Sequence, residues 1–505
     1  MRQERSADKP QMKKPAPTAK KPAPAVKKPA PADKPANCPY RKKCGGCQYS
    51  EISYPEQLRM KERKVRRLLE GFGEVKPITG AEDPFHYRNK VTASFGFRNG
   101  KMISGVYEQK THRVVNIDRC LIQDERADRI IHIMRDLFVS FKLKAYDEDS
   151  GFGLIRHVMV RTARATGQIM VIIVTANQVF PGSRNFVNAL REKCPEITTI
   201  VQNINSQRTS MVLGNREKVL FGKGYIEDVL CGLRFRISAG SFYQVFPEQT
   251  EKLYAKAVAL AGLNGKGTLL DAYCGVGTIG MIASRDADEV IGVELNPDAV
   301  KDAEANARAN GIHNISFYAN DAGVFLQDLA ASGKRPDVIL MDPPRTGSTP
   351  EFIESACRTR PERIVYVSCN PETLARDLKV FKGFNYRMRE AWPFDNFPLT
   401  EHVETVCLLS KLHEAKHHVN VKVDMDELDL TSAEAKATYK EIEEWVQEHY
   451  GFHVTNLNIA QVKQKHGIIE RENYNKPKSE NSRQPGCSEE KVKAIEEALK
   501  HFKMI

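Results

Sequence analysis

The sequence predicts an α/β protein. Its second half reads as a doubly wound, Rossmann-like domain, with a sheet-rich α+β segment before it and a helical extension after it. Three observations carry this. From about residue 249, apolar strands alternate with helical stretches ("GTLLDAYCGVGTIG", "EVIGVELNP", "ISFYANDA", "DVILMDPPR", "RIVYVSCNP"), the rhythm of βαβ units around a buried parallel sheet. Between residues 80 and about 240, short apolar runs alternate with turns instead ("VTASFGF", "HVMVRTA", "IMVIIVTA", "TTIVQNIN", "FRISAGSFYQV"). After Lys411, "LTSAEAKATYKEIEEWVQEHYG" carries a Thr431-x-x-Glu434 capping box and a closing Gly451, which is helix punctuation.

Taken in chain order, residues 1–36 are mostly Lys, Pro and Ala, a composition that cannot bury a core, so an extended basic tail is expected. Residues 37–79 hold a cysteine loop and the charged helix "YPEQLRMKERKVRRLLEGFG". Residues 80–245 are expected to form a central α+β domain, and residues 246–411 the doubly wound domain. Residues 412–505 form the extension, with further helices expected at "NIAQVKQKHG" and, capped by Ser488, at "SEEKVKAIEEALKHF", and a linker at "NYNKPKSENSRQPG".

A net charge of +12 over 505 residues favours an anionic partner, nucleic acid first, over a merely solvated basic surface. No apolar run approaches the roughly 18 to 20 residues of a membrane span. "MRQERSADKPQMKKPAP" has no apolar signal core, so a cytoplasmic protein is expected. Eleven cysteines in such a chain are not a disulfide framework; clustered thiols suggest a metal, and single ones chemistry or burial.

In "LLDAYCGVGTIG", Gly275 and Gly277 let the backbone approach a ligand, and the following helix offers free amides. The spacing is not the dinucleotide fingerprint. The next strand ends in Glu294, an acceptor for a ribose diol, and the third in Asp321, an acceptor for an adenine amino group. Turn, acid and Asp in successive units point to S-adenosylmethionine rather than to ordinary turn glycines. In "MDPPRTG" Arg345 follows the prolines, where amino-methylating enzymes often carry an aromatic residue, and this argues against methylation of an exocyclic amine.

Cys369 ends the fifth strand and precedes Asn370, Pro371 and a helix. A helix N-terminus favours a depressed thiol pKa and a nucleophilic thiolate, while a buried structural cysteine is the alternative. Glu404, before an apolar terminal strand, is placed to serve the same mouth as a general base. A thiolate and a base are the equipment for methylating C5 of uracil, which must be activated by attack at C6 and then lose its C5 proton.

Over about residues 38–411 the sequence resembles the RNA uracil-5-methyltransferases, through "CPYRKKCGGC", "FHYRNKV", "GSFYQVFP", "DAYCGVGTIG", "MDPPRTG", "VSCNPETLARDL" and "FPLTEHVET". The resemblance implies that Cys369 is the nucleophile and Glu404 the proton-abstracting base. It also implies that Gln244, Tyr273, Glu294 and Asp342 serve the S-adenosylmethionine site, with Gln244 and Asp342 facing the target base as well. Tyr87–Lys90 matches an RNA-facing strand start, with an ordinary edge strand as the alternative.

Cys38, Cys44 and Cys47, with the distant Cys120, match the family's [4Fe-4S] ligand set. Four thiolates suit zinc or an iron–sulfur cluster, and the spacing leans slightly to zinc; the resemblance implies the cluster, in a structural or RNA-positioning role. The tRNA-modifying branch generally lacks these cysteines, so the resemblance implies 23S rRNA as substrate, with tRNA the competing reading and a non-catalytic iron–sulfur RNA-binding factor a third. A monomer is expected. The small β-barrel many relatives carry is not expected before Cys38, and RNA binding is expected of the central domain, residues 80–245. The extension is expected first to serve packing or partner binding; if it contacts RNA instead, Lys463, Lys465 and His466 are the side chains expected to do so.

Overall fold

In the computed structural model, which describes residues 34–108, 111–208, 211–411, 439–466, 487–502 and 504–505, the glycine-turn strand Thr268–Ala272 lies inside an eight-stranded sheet. It pairs in parallel with Glu289–Glu294 on one side and Val338–Met341 on the other. Ile315–Ala319 extends the first side and Arg363–Ser368 the second, also in parallel. Strand order therefore reverses at Thr268–Ala272, and a crevice opens beyond the strand carboxyl ends where ligands bind in such sheets. The run "VILM" is apolar throughout, and "LLDA" is apolar but for Asp271, because helices cover both sheet faces and build a core on each.

Beyond Arg363–Ser368 the sheet turns antiparallel. Glu404–Lys411 inserts between Arg363–Ser368 and Tyr386–Phe394, antiparallel to both. The edge comes from far upstream: Glu74–Val75, directly after the first long helix, pairs in parallel with Tyr386–Phe394. That helix, Tyr54–Leu68, opens with a proline and buries Tyr54, Gln57, Lys61 and Val65, one helical stripe on which two of the residues are polar.

The central segment forms a seven-stranded sheet, antiparallel except where helix Ser183–Lys193 carries the chain from Ile169–Thr175 to its parallel neighbour Ile197–Ile204. This helix and Glu125–Ser140 share an apolar core with the sheet. A hairpin follows, Tyr225–Leu230 with Leu233–Ser238. Its Cys231–Gly232 turn has both φ angles positive (49° and 76°), the form that matches strand twist. The strand expected through "FRISAGSFYQV" stops at Ser238. The irregular continuation is held by Arg161, which donates to the carbonyls of Ala239 and Ser241.

The chain divides into two compact units, Met1–Glu414 and Ala415–Ile505. In the second, helices Tyr439–Tyr450, Asn456–Lys465 and Glu489–His501 enclose a core that includes Ile442, Val446, Ile459, Val462, Ile495 and Leu499. Its capping box is Thr455 with Asn458. The Thr431–Glu434 box, the "NYNKPKSENSRQPG" linker and most of the basic N-terminal tail lie outside the described residues. The basic trio expected to face RNA is engaged within the unit: Lys463 is 4% exposed with its amine 4.3 Å from the Tyr439 ring centroid, and Lys465 and His466 both bond Glu496. Among the described residues no helix is long and apolar enough to cross a membrane.

Candidate active site

Strand register builds the core of the site. The antiparallel ladder between Arg363–Ser368 and Glu404–Lys411 ends at the pair Ser368–Thr405. The next step of the same register sets Cys369 across from Glu404, and cross-strand neighbours present their side chains on one face about 4.5–5.5 Å apart. Asp342 follows Val338–Met341, the parallel neighbour of Arg363–Ser368, and so reaches the same end of the sheet. Past Cys369, Asn370 caps the helix Pro371–Gly383 by accepting the Glu372 amide (3.1 Å).

Burial sets the protonation of all three groups. Glu404 is 4% exposed, and enclosure, then the charge of Asp342, pushes its carboxyl up to about 8. Enclosure alone raises Asp342 to about 7. The surface Asp342 retains lines a cavity, so the group is walled in although not fully covered. Cys369 is pushed up to about 12, first by desolvation and then by Glu404 and Asp342, with Arg345 opposing. This corrects the expected depressed thiol: in this site the pull of the helix end is outweighed by burial beside two acids.

Two cavities flank these groups. One of about 30 Å³ is lined by Gln244, Tyr254, Asp271, Tyr273, Gly275 and Asp342, among others. The other, about 160 Å³, includes Lys64, Arg345, Cys369, Asn370, Glu401 and His402. A larger hollow of about 1090 Å³ between the cysteine loop and the central sheet contains none of the expected catalytic or cofactor residues.

On the cofactor side, Tyr273, Gly275 and Gly277 all have positive φ (64°, 56° and 79°), which folds the turn tightly over the strand end. Glu294 accepts the amides of Gly275 (3.0 Å) and Asn296 (2.8 Å), one on each oxygen, and a carboxylate has lone pairs to spare for hydroxyls. Oδ1 of Asp321 caps helix Ala322–Ala331 by accepting from Gly323 and Val324, a role sequence reasoning had not given it. Gln244 sits on the irregular segment, its carbonyl accepting from Asn89 Nδ2 (3.0 Å) and its side chain bonded to Tyr254. The Tyr87–Lys90 segment is thus interior in part: Tyr87 and Asn89 are 1% and 5% exposed, while Arg88 and Lys90 keep some surface.

Sequence reasoning missed Asp271 and His402. Asp271 lies buried under the glycine turn, accepts the Gly280 amide (2.8 Å) and is raised to about 8 by desolvation. Arg345 donates to Nδ1 of His402 (3.1 Å), and burial and this guanidinium lower the imidazole's affinity for a proton. The acid within "LLDA" was a visible signal; the Arg345–His402 contact, across 57 positions, was not.

The cysteine loop and Cys120 come within electrostatic reach of each other. Cys47 is raised to about 12 by burial and then by Cys120, Cys44 and Cys38, and Cys120 to about 11 by burial, with Cys44 among its repulsive neighbours. Among the described residues, no three His, Cys, Asp or Glu side chains are grouped tightly enough to hold a single metal ion. Backbone amides of Gly46, Ile122 and Gln123 point at the sulfurs of Cys44 and Cys120. Four thiols brought within reach of one another are, once deprotonated, a donor set for zinc or for an iron–sulfur cluster.

The model of the tRNA (uracil-5-)-methyltransferase family matches residues 53–412. The chain belongs to that family. An uncharacterized RNA methyltransferase of Halalkalibacterium halodurans is 41% identical over 379 residues, 74% of this chain and 83% of the relative. A Bacillus cereus protein described in the same words is 40% identical over 386 residues, 75% and 84% of the two chains. Among solved structures, the Pyrococcus abyssi tRNA (uracil-54, C5)-methyltransferase in complex with S-adenosyl-L-homocysteine matches with a TM-score of 0.61 and 27% identity, covering 72% of this chain and 85% of that one. The α/β fold expected from the sequence is the fold of this family member.

Proposed function

We propose that this chain is an S-adenosylmethionine-dependent RNA uracil-5-methyltransferase that modifies a uridine of 23S rRNA, with Cys369 as nucleophile and Glu404 as base. The observation that carries the reading is the register that faces a half-buried thiol with an enclosed carboxyl beside Asp342. Bound S-adenosylmethionine supplies an electrophilic methyl and a positive charge. The Cys369 sulfur adds to C6 of uracil and moves an electron pair toward C5, which becomes nucleophilic. Once C5 carries the methyl, Glu404 takes the C5 proton; that bond's electron pair restores the C5–C6 double bond, and the Cys369 thiolate leaves. A carboxyl raised to about 8 is a stronger base than an exposed one, in the range suited to this step. Cys369 is held high first by burial and then by two acids, so its thiolate forms where positive charge, including that of Arg345, offsets them.

In this reading Gln244, Tyr273, Gly275, Glu294, Asp321 and Asp342 line the cofactor crevice. Cys38, Cys44, Cys47 and Cys120 hold a [4Fe-4S] cluster that cross-links two loops and takes no part in methyl transfer. The preference for ribosomal RNA rests on these cysteines, which the tRNA-modifying branch generally lacks. The match to a tRNA family model and to the Pyrococcus abyssi tRNA enzyme favours tRNA as the second reading.

Nucleoside mass spectrometry of 23S rRNA and tRNA from a deletion strain separates the two: loss of 5-methyluridine from 23S rRNA is expected, and loss from tRNA alone would overturn that assignment. Cys369→Ala should abolish methylation while cofactor binding persists; full activity would refute covalent catalysis. Glu404→Gln should trap a denaturant-resistant protein–RNA adduct, and normal turnover without one removes Glu404 from its role.

A further inference from the structure

The loop that delivers Glu404 contains a strained residue. Leu399, 2% exposed, has φ +67°, a left-handed conformation that costs a leucine about 1–2 kcal/mol. Such strain persists only where the surroundings over-determine it, and here they come from the cysteine region. The Leu399 amide donates to Gln57 Oε1 (3.0 Å), and its carbonyl accepts from the Tyr49 amide (2.9 Å). Gln57, itself 0% exposed, donates from Nε2 to the carbonyls of Tyr49 (3.1 Å) and Ile52 (2.8 Å). One buried amide thus joins the turn after Cys47 to the loop before Glu404. Further contacts run in parallel: Lys61 donates to the Phe397 carbonyl (3.0 Å), and the Glu401 amide to Gln48 Oε1 (3.3 Å).

We infer that Gln57 is a positioning residue for the base: it locks the strained Leu399 onto the cysteine-bearing turn and so fixes where Glu404 stands. This rests on the reading of Glu404 as the base. Cys369 reaches the site from a different strand, so loosening the lock retards removal of the C5 proton and leaves attack at C6 intact.

The test uses the full-length holoprotein, substrate RNA and RNA made with 5-deuterated uridine. Gln57→Leu preserves side-chain bulk and removes all three bonds. The expected result is kcat lower by about 10- to 100-fold, the scale of a misplacement near 1 Å, with KM for RNA and iron content unchanged. The covalent adduct should accumulate, and a primary isotope effect on kcat should appear. Gln48→Ala, at an exposed contact, should show the same signature more weakly at an unchanged melting temperature. It decides the matter if Gln57→Leu fails to fold. Wild-type adduct levels and no isotope effect in the folded variants, while Glu404→Gln accumulates adduct, overturn the inference. If Glu404→Gln itself gives no adduct, the base assignment has failed and this inference falls with it.

Discussion

Replacing Glu404 by glutamine should stabilise the protein in alkaline solution and leave it nearly unchanged in acid. The folded site holds this carboxyl at about 8 against an ordinary value of 4.5. A raised acid binds more protons folded than unfolded between those two values. Its contribution is therefore fully present below about pH 4.5 and is lost as pH rises through 8. At 1.36 kcal/mol per pH unit, the wild type should lose about 4–5 kcal/mol by pH 8.5, and only about 1 kcal/mol by pH 5. Glutamine has the shape of the neutral acid and cannot ionise, so the variant escapes this loss. Urea unfolding at 25 °C and both pH values, without added cofactor, reads the difference directly. A stability change equal at the two pH values, or a variant less stable than wild type at pH 8.5, would refute the claim that burial of Glu404 opposes its charge.

The ion pair of Lys61 and Asp395 is 2.6 Å long with both side chains 0% exposed, so Lys61→Met should cost about 3–5 kcal/mol by stranding the carboxylate. Lys61→Met with Asp395→Asn should recover much of that in the same urea titration. Anaerobically purified protein should contain about four irons per chain, and Cys47→Ser should lose iron and soluble yield together; zinc in place of iron would overturn the cluster. A Cβ added at Gly292 would stand 2.5 Å from the Phe317 ring and 3.1 Å from Cys274 Sγ. Gly292→Ala should therefore cost about 1–3 kcal/mol and weaken cofactor binding, as checked by calorimetry; an unchanged melting temperature would mean the ring swings aside.

The doubly wound half was legible because its strands are buried on both faces and read as unbroken apolar runs, as in "VILM", punctuated by the glycine turn. Cys369 and Glu404 stand out as candidates through their motifs, but the perturbation of the thiol was not legible. A helix end is visible in sequence, whereas the enclosure and the two acids that outweigh it come from separate strands. Gln57 and Lys61 looked like solvent-facing members of a charged helix; only the fold shows that their stripe is the buried one. Glu74–Val75 was equally hidden, since a two-residue edge strand has no periodicity to detect. The strand expected past Ser238 failed because Arg161 and Asn89 claim the backbone carbonyls of that segment.

The ladder that pairs Ser368 with Thr405 works as a ruler. It fixes the distance from Cys369 to Glu404 independently of how long the chain from Asn370 to Val403 happens to be. Insertions in the turns of that excursion are therefore tolerable in a way that a one-residue error in pairing is not. A slip by one position turns every side chain of the strand to the opposite face and would point the carboxyl of Glu404 away from Cys369 altogether. Molecules with that slip would be dead rather than slow, so the specific activity of a preparation counts its correctly paired molecules.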